Sequence, residues 1–128
     1  MREFFAVALG GMIGSVARYA VGIGVEKSWS QLNWPLATLF VNIVGCFCIG
    51  MAAAAMNRWQ WNDTPIDLAV RVGILGGFTT FSAFGLEVMR LWQADRTLAA
   101  SAVVFLNVAG AIAAVFLGDM FCKWILHE

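Results

Sequence analysis

Four apolar runs, at residues 4–25, 36–56, 66–92 and 98–126, occupy most of a 128-residue chain, and each reaches the ~20 residues that cross a bilayer core. A soluble domain this small needs a polar surface. The sequence supplies little of one, since 61% of its residues are hydrophobic and 12% charged, with a mean hydropathy of +0.79. The expected fold is an all-α membrane protein with four transmembrane helices, a single transmembrane domain over residues 1–128, with membrane lipid as its surroundings. The first run carries Arg18 and has no small-residue cleavage site ahead of a polar domain, which argues against a removable signal peptide.

The third run contains a stretch that does not suit a plain membrane helix. Residues 76–85 read GGFTTFSAFG. Adjacent glycines each cost roughly 1 kcal/mol of helix stability relative to alanine, and the β-branched pair Thr79-Thr80 adds little helix preference of its own. A break is therefore predicted within the Gly76 to Thr80 segment. At membrane depth, broken helix is tolerated where its freed backbone groups are buried in protein, bind an ion or line a polar cavity. The break thus marks a site.

Charge constrains the topology. With four spans, one side of the membrane holds Arg2, Arg58, Arg71 and Lys123 and the other Arg18, Lys27, Arg90 and Arg96. Lys and Arg near span ends set orientation, so an even split predicts insertion both ways. A modest bias would survive if one or two of these residues, especially Arg18 or Arg71, sit too deep to count.

In chain order, Gly10 and Gly14, extended by Ser15 and Ala17, make a small-residue face for close helix packing. Arg18 either snorkels to the interface beside Tyr19 or places a positive charge at an anion's vestibule. Residues 28–34 form a short polar loop with two tryptophans at headgroup level, and Pro35 suits the first turn of the second helix. Thr38 and Asn42, four apart, share a face of that helix with Gly45. Asn42 is either interhelical glue or a donor to something that passes. Thr64, Pro65 and Asp67 read as N-cap, first helical position and capping box of the third span. Phe81 and Phe84 share a face beside Ser82, with Glu87 and Arg90 further along. The fourth helix has one mid-span polar residue, Asn107, near Gly110.

Several chemistries are excluded. Cys46 and Cys48 point to nearly opposite helix faces and cannot share a metal, and with Cys122 they read as small apolar packers. The single histidine, His127, lies in the polar tail. No Ser/His/acid set and no phosphate-cradling loop occur, so no enzyme is expected. No isolated carboxylate sits deep in a span to relay protons, because Glu3 is terminal and Glu87 has Arg90 within reach. What the spans offer is donors, from Thr38, Asn42, Thr79, Thr80, Ser82 and Asn107, together with the electropositive ring edges of phenylalanine. Such a set suits a small anion.

GGMIGSVARY (residues 10–19), TLFVNIVGCFCIG (residues 38–50) and GGFTTFSAF (residues 76–84), in this order and in four short spans, resemble the small bacterial fluoride channels of the Fluc/CrcB family over nearly the whole chain. The resemblance implies a fluoride-selective channel of the bacterial inner membrane that drains fluoride passively from the cytoplasm. It also implies a dual-topology antiparallel homodimer with two pores and a structural sodium ion between the broken third helices, and no nucleic-acid partner. Carried over by motif, the pore-lining phenylalanines fall on Phe81 and Phe84, the pore asparagine on Asn42 and the vestibule arginine on Arg18. The sodium-binding backbone carbonyls fall on Gly76 and Thr79. Thr38, Thr80 and Ser82 match polar pore or near-pore positions, and Glu87 a glutamate that follows the pore motif. Where the family often has threonine this chain has Ala83. Where many members bring a tyrosine and two serines from the fourth helix, spacing puts Val103, Asn107 and Ala111, with Asn107 as the donor. The competing readings are a small dual-topology proton-coupled multidrug exporter and an accessory subunit of a larger complex.

Overall fold

The apolar runs form four spans in the structure, a computed structural model that describes residues 1–29 and 34–127. The described chain is helical throughout, without strands. The spans are α1 (Arg2–Trp29), α2 (Leu36–Arg58), a composite third span (Pro65–Gln93) and α6 (Thr97–Ile125). At 1.5 Å per residue even the 23-residue α2 is about 35 Å long, enough for a hydrocarbon core of about 30 Å. The first loop starts later than the sequence suggests: Ser28 and Trp29 close α1, and residues 30–33 of that loop lie outside the described residues. Pro35 stands one position before α2 as its N-cap rather than in its first turn.

Lipid tails are as apolar as leucine, so the spans associate by close packing rather than by expelling water. Glycine makes that approach possible. A Cβ placed on Gly10 would lie 2.3 Å from the Ala69 carbonyl oxygen, and one on Gly14 would lie 2.1 Å from that of Ile74. The small-residue face of α1 is therefore seated against the third span, as its spacing predicts. A second seam joins α2 to α6, where Cβ atoms on Gly50 and Gly118 would meet the carbonyl oxygens of Val115 and Phe47 at 2.1 and 2.0 Å.

The connections end their helices without glycine. Gln60 and Asp95 take positive φ, 55° and 56°. Each follows a helix whose last carbonyls accept reverse-turn amides, Trp61 to Met56 at 2.9 Å and Arg96 to Leu91 at 3.0 Å, the pairing of a Schellman motif. Thr64 caps the third span, its hydroxyl accepting from the Asp67 amide at 3.3 Å. The reciprocal bond differs from a capping box, because the Asp67 carboxylate takes the amide of Asp63, at 2.9 Å, rather than that of Thr64.

The third span is built from α3 (Pro65–Asp67), a π-helix (Leu68–Leu75), α4 (Gly76–Phe78) and α5 (Phe81–Gln93). It is interrupted in the expected segment, but the glycines do not make the break. Gly76 is helical, with φ −65° and ψ −36°. The extended residues are Thr79 (φ −79°, ψ 158°) and Thr80 (φ −149°, ψ 126°). Gly77 is needed for space instead: its Cβ would sit 2.8 Å from the Gly11 carbonyl oxygen of α1. The β-branched threonines suit the extended backbone that follows.

Candidate functional site

In an uninterrupted α-helix the Thr80 amide would bond to the Gly76 carbonyl. Here it donates to Asn42 Oδ1 at 2.8 Å, and Asn42 Nδ2 donates back to the Thr80 carbonyl at 3.0 Å. The carboxamide thus pairs with the extended residue as a neighbouring strand would. It gives both backbone groups a partner inside the protein. Gly45, one turn along α2, lets the break seat closely, since its Cβ would meet Thr79 Cγ2 at 2.3 Å. Thr80 also starts the next helix, its hydroxyl accepting from the Ala83 amide at 3.2 Å.

The two half-helices present opposite partial charges at the break. The carbonyl end of the first half is electronegative and the amide end of the 13-residue α5 is electropositive. A cavity of about 310 Å³ opens beside the second, lined by Asn42, Cys46, Thr79, Thr80, Phe81, Phe84, Asn107, Val108, Ala111 and Ile112. The Phe81 and Phe84 rings are 5.2 Å apart and tilted by 58°. Phe84 is buried, whereas Phe81 is 79% exposed on the outer face of the subunit. Asn107 joins from α6: its Oδ1 accepts from Asn42 Nδ2 at 3.0 Å, and its Nδ2 donates to its own helix at the Val103 carbonyl, 3.1 Å away.

Of the residues singled out from the sequence, Asn42, Thr79, Thr80, Phe81, Phe84 and Asn107 therefore meet at one cavity. Ala111 lines it too, while Val103 contributes its carbonyl as an anchor. Ser82 is exposed, with its hydroxyl 3.4 Å from that of Thr80. Thr38 and Glu87 form a separate pair, the Thr38 hydroxyl donating to Glu87 Oε1. The second carboxylate oxygen of Glu87 is buried without a hydrogen-bond partner among the described residues. Glu87 faces an open cleft of about 520 Å³ whose lining includes Glu26, Trp29, Trp34, Arg90 and Arg96. Arg18 is not part of that cleft. Its guanidinium donates to the Thr79 carbonyl at 3.1 Å, so it lies at the break rather than snorkelling beside Tyr19.

Two features escaped the sequence reading. The π-helix left no signal in the residue pattern. Asp67 is fully buried and paired with Arg71, which bonds to both of its carboxylate oxygens. Their spacing of four on a helix was the available clue.

The family model described as "CrcB-like protein, Camphor Resistance (CrcB)" matches residues 5–119 of the chain. A protein of Serratia proteamaculans (strain 568) named fluoride-specific ion channel FluC is 38% identical over 125 residues, spanning 98% of this chain and 97% of its own length. A protein of the same name from Elusimicrobium minutum (strain Pei191) is 38% identical over 126 residues, spanning 98% of each chain. In Yersinia pseudotuberculosis serotype I (strain IP32953), fluoride-specific ion channel FluC 1 is 39% identical over 112 residues, spanning 88% of this chain and 87% of its own.

Proposed function

Because the chain belongs to the CrcB-like family, we propose that it is a fluoride-specific channel, a multi-pass protein of the bacterial inner membrane that lets fluoride leave the cytoplasm down its gradient. It is not an enzyme. Hydrogen fluoride crosses membranes as a neutral weak acid and dissociates inside, so a passive path for the ion suffices to drain it. The observation that carries the reading is the cavity where Asn42, Asn107, Thr80 and the amide end of α5 meet the phenylalanine pair. Fluoride holds its water tightly and enters only where donors replace part of that shell. The positive end of α5 and the ring edges attract an anion without the fixed charge that would trap it.

The pore-forming unit is an antiparallel homodimer of dual-topology subunits, with fluoride, a second copy of the chain and membrane lipid as its partners. In support, Phe81 and Ser82 are exposed on the subunit although they border the cavity or its cap, so a second copy would complete the path. Counted by place in the chain, Arg2, Arg58, Arg71 and Lys123 on one side stand against Arg18, Lys27, Arg90 and Arg96 on the other. That balance favours insertion both ways.

A structural sodium ion would be held by the Gly76 and Thr79 carbonyls of both copies. The donor set fits. Gly76 has lost its α-helical amide partner to Asn42, and Thr79, which accepts from Arg18, keeps a second lone pair. When bound, the ion would supply positive charge against the partial negative charge of these carbonyls.

The test is fluoride efflux from liposomes containing only this protein, with no proton gradient imposed. Passive efflux is expected. Efflux that needs a proton gradient would favour the multidrug-exporter class, and no efflux would leave a packing subunit.

A further inference from the structure

We propose that Asp67 and Arg71 are positioning residues: with α1 they hold the first half of the third span in π-helical register, and that register delivers Thr79 and Thr80 to the cavity. The proposal rests on the channel reading and adds to it what sets the place of the break. On α1, Gly10, Gly14 and Arg18 repeat every four residues, so they share one face of an α-helix. The backbone oxygens they meet belong to Ala69, Ile74 and Thr79, which repeat every five. Gly10 lies against the first and Gly14 against the second, and the Arg18 guanidinium donates to the third at 3.1 Å.

Two α-helices would match four with four. The oxygens after Ala69 would then be those of Gly73 and Gly77, and Arg18 would meet Gly77 instead of Thr79. The break would stand out of place, with Thr80 away from Asn42. The π-helix supplies the longer repeat, because the Gly76 amide donates to the Arg71 carbonyl, five residues back, as well as to that of Gly73.

A π-helix rarely runs beyond one turn, so something has to hold eight residues in it. Relaxing to an α-helix turns the two ends of the segment against each other, and both ends are fixed. Arg18 and the α1 glycines hold the far end. At the near end Asp67 is fully buried; one carboxylate oxygen takes Arg71 Nε, and the other takes Arg71 Nη2 together with the Asp63 amide. Arg71 is thus held twice, by its side chain at Asp67 and by its carbonyl at Gly76.

Solid-state NMR of the wild-type protein in liposomes, labelled with [1-¹³C]arginine and ¹⁵N-glycine, reads the register directly. A contact between the Arg71 carbonyl carbon and the Gly76 nitrogen is expected, and its absence would overturn the proposal. In Asp67→Asn, either orientation of the new amide sets a donor against Arg71 or Asp63. Losing one charge-assisted hydrogen bond shifts the balance between registers by roughly tenfold or more toward the α-helix. The Gly76 contact should weaken and fluoride flux should fall with it. Asp67→Leu combined with Arg71→Met separates positioning from stability, since apolar replacement of a buried ion pair is often neutral or stabilising. An unchanged or raised melting temperature with reduced flux is expected. Wild-type flux in a folded variant of either kind would make the pair merely structural and overturn the proposal. If the double variant does not fold, Asp67→Asn decides. Absent wild-type flux with the Gly76 contact intact would sink the channel reading instead.

Discussion

The seam between α2 and α6 allows a prediction with a magnitude. In Gly118→Ala the new methyl would sit 2.0 Å from the Phe47 carbonyl oxygen, where ordinary contact starts at 3.4 Å. The clashing atom is backbone and cannot rotate away, so the helices must part by about 1.4 Å. A gap of that size forfeits more than half of the dispersion attraction across neighbouring contacts. Overpacking of this kind costs about 1–3 kcal/mol, here at the upper end, against the roughly 1 kcal/mol that alanine gains over glycine in a helix. The net expectation is a loss of about 2 kcal/mol. Gly22→Ala is the control, because a Cβ there meets nothing within 4 Å. It should stabilise by up to about 1 kcal/mol. Reversible unfolding in mixed detergent micelles, followed by tryptophan fluorescence, measures both. Adding Gly50→Ala to Gly118→Ala should cost less than its effect alone, since the helices have already separated. Equal stability of the Gly118 and Gly22 variants would refute the argument that backbone contact sets this seam.

Three further outcomes are expected. Phe81→Ile keeps bulk but removes the ring quadrupole, and should cut fluoride flux strongly while the protein stays folded; Phe81→Met, soft and polarisable, should do less harm. Undiminished flux in both Phe81→Ile and Phe84→Ile would return the rings to a packing role. Cysteine labelling at Arg2, in a background without the native cysteines, should find that position on both sides of the membrane in comparable amounts, and added loop lysines should shift the ratio; one orientation only would exclude an antiparallel dimer. Replacing sodium by a large organic cation should lower the melting temperature in a concentration-dependent way, and an unchanged melting temperature would remove the structural ion.

The sequence by itself determined the spans, because four apolar runs of membrane length in so short a chain leave helices as the only way to satisfy their backbone. It also determined that Gly10 and Gly14 form a packing face and that the third span breaks between Gly76 and Thr80. Those are local properties, legible from spacing and propensity. The tertiary structure decided what each part of the break does. Gly77 turned out to be space for α1, and the extended residues are Thr79 and Thr80, because the clash that selects a glycine comes from another helix. Arg18 looked like a residue near a span end, yet it bonds to a carbonyl 61 positions away. Asn42 offered a choice between glue and donor that no residue pattern could resolve. The bonds it makes depend on which groups lie opposite its carboxamide, the Thr80 backbone and the Asn107 side-chain oxygen, 38 and 65 positions away. Periodicity reports which face a side chain takes, and only the packed helices fix the hydrogen-bond partner it finds there.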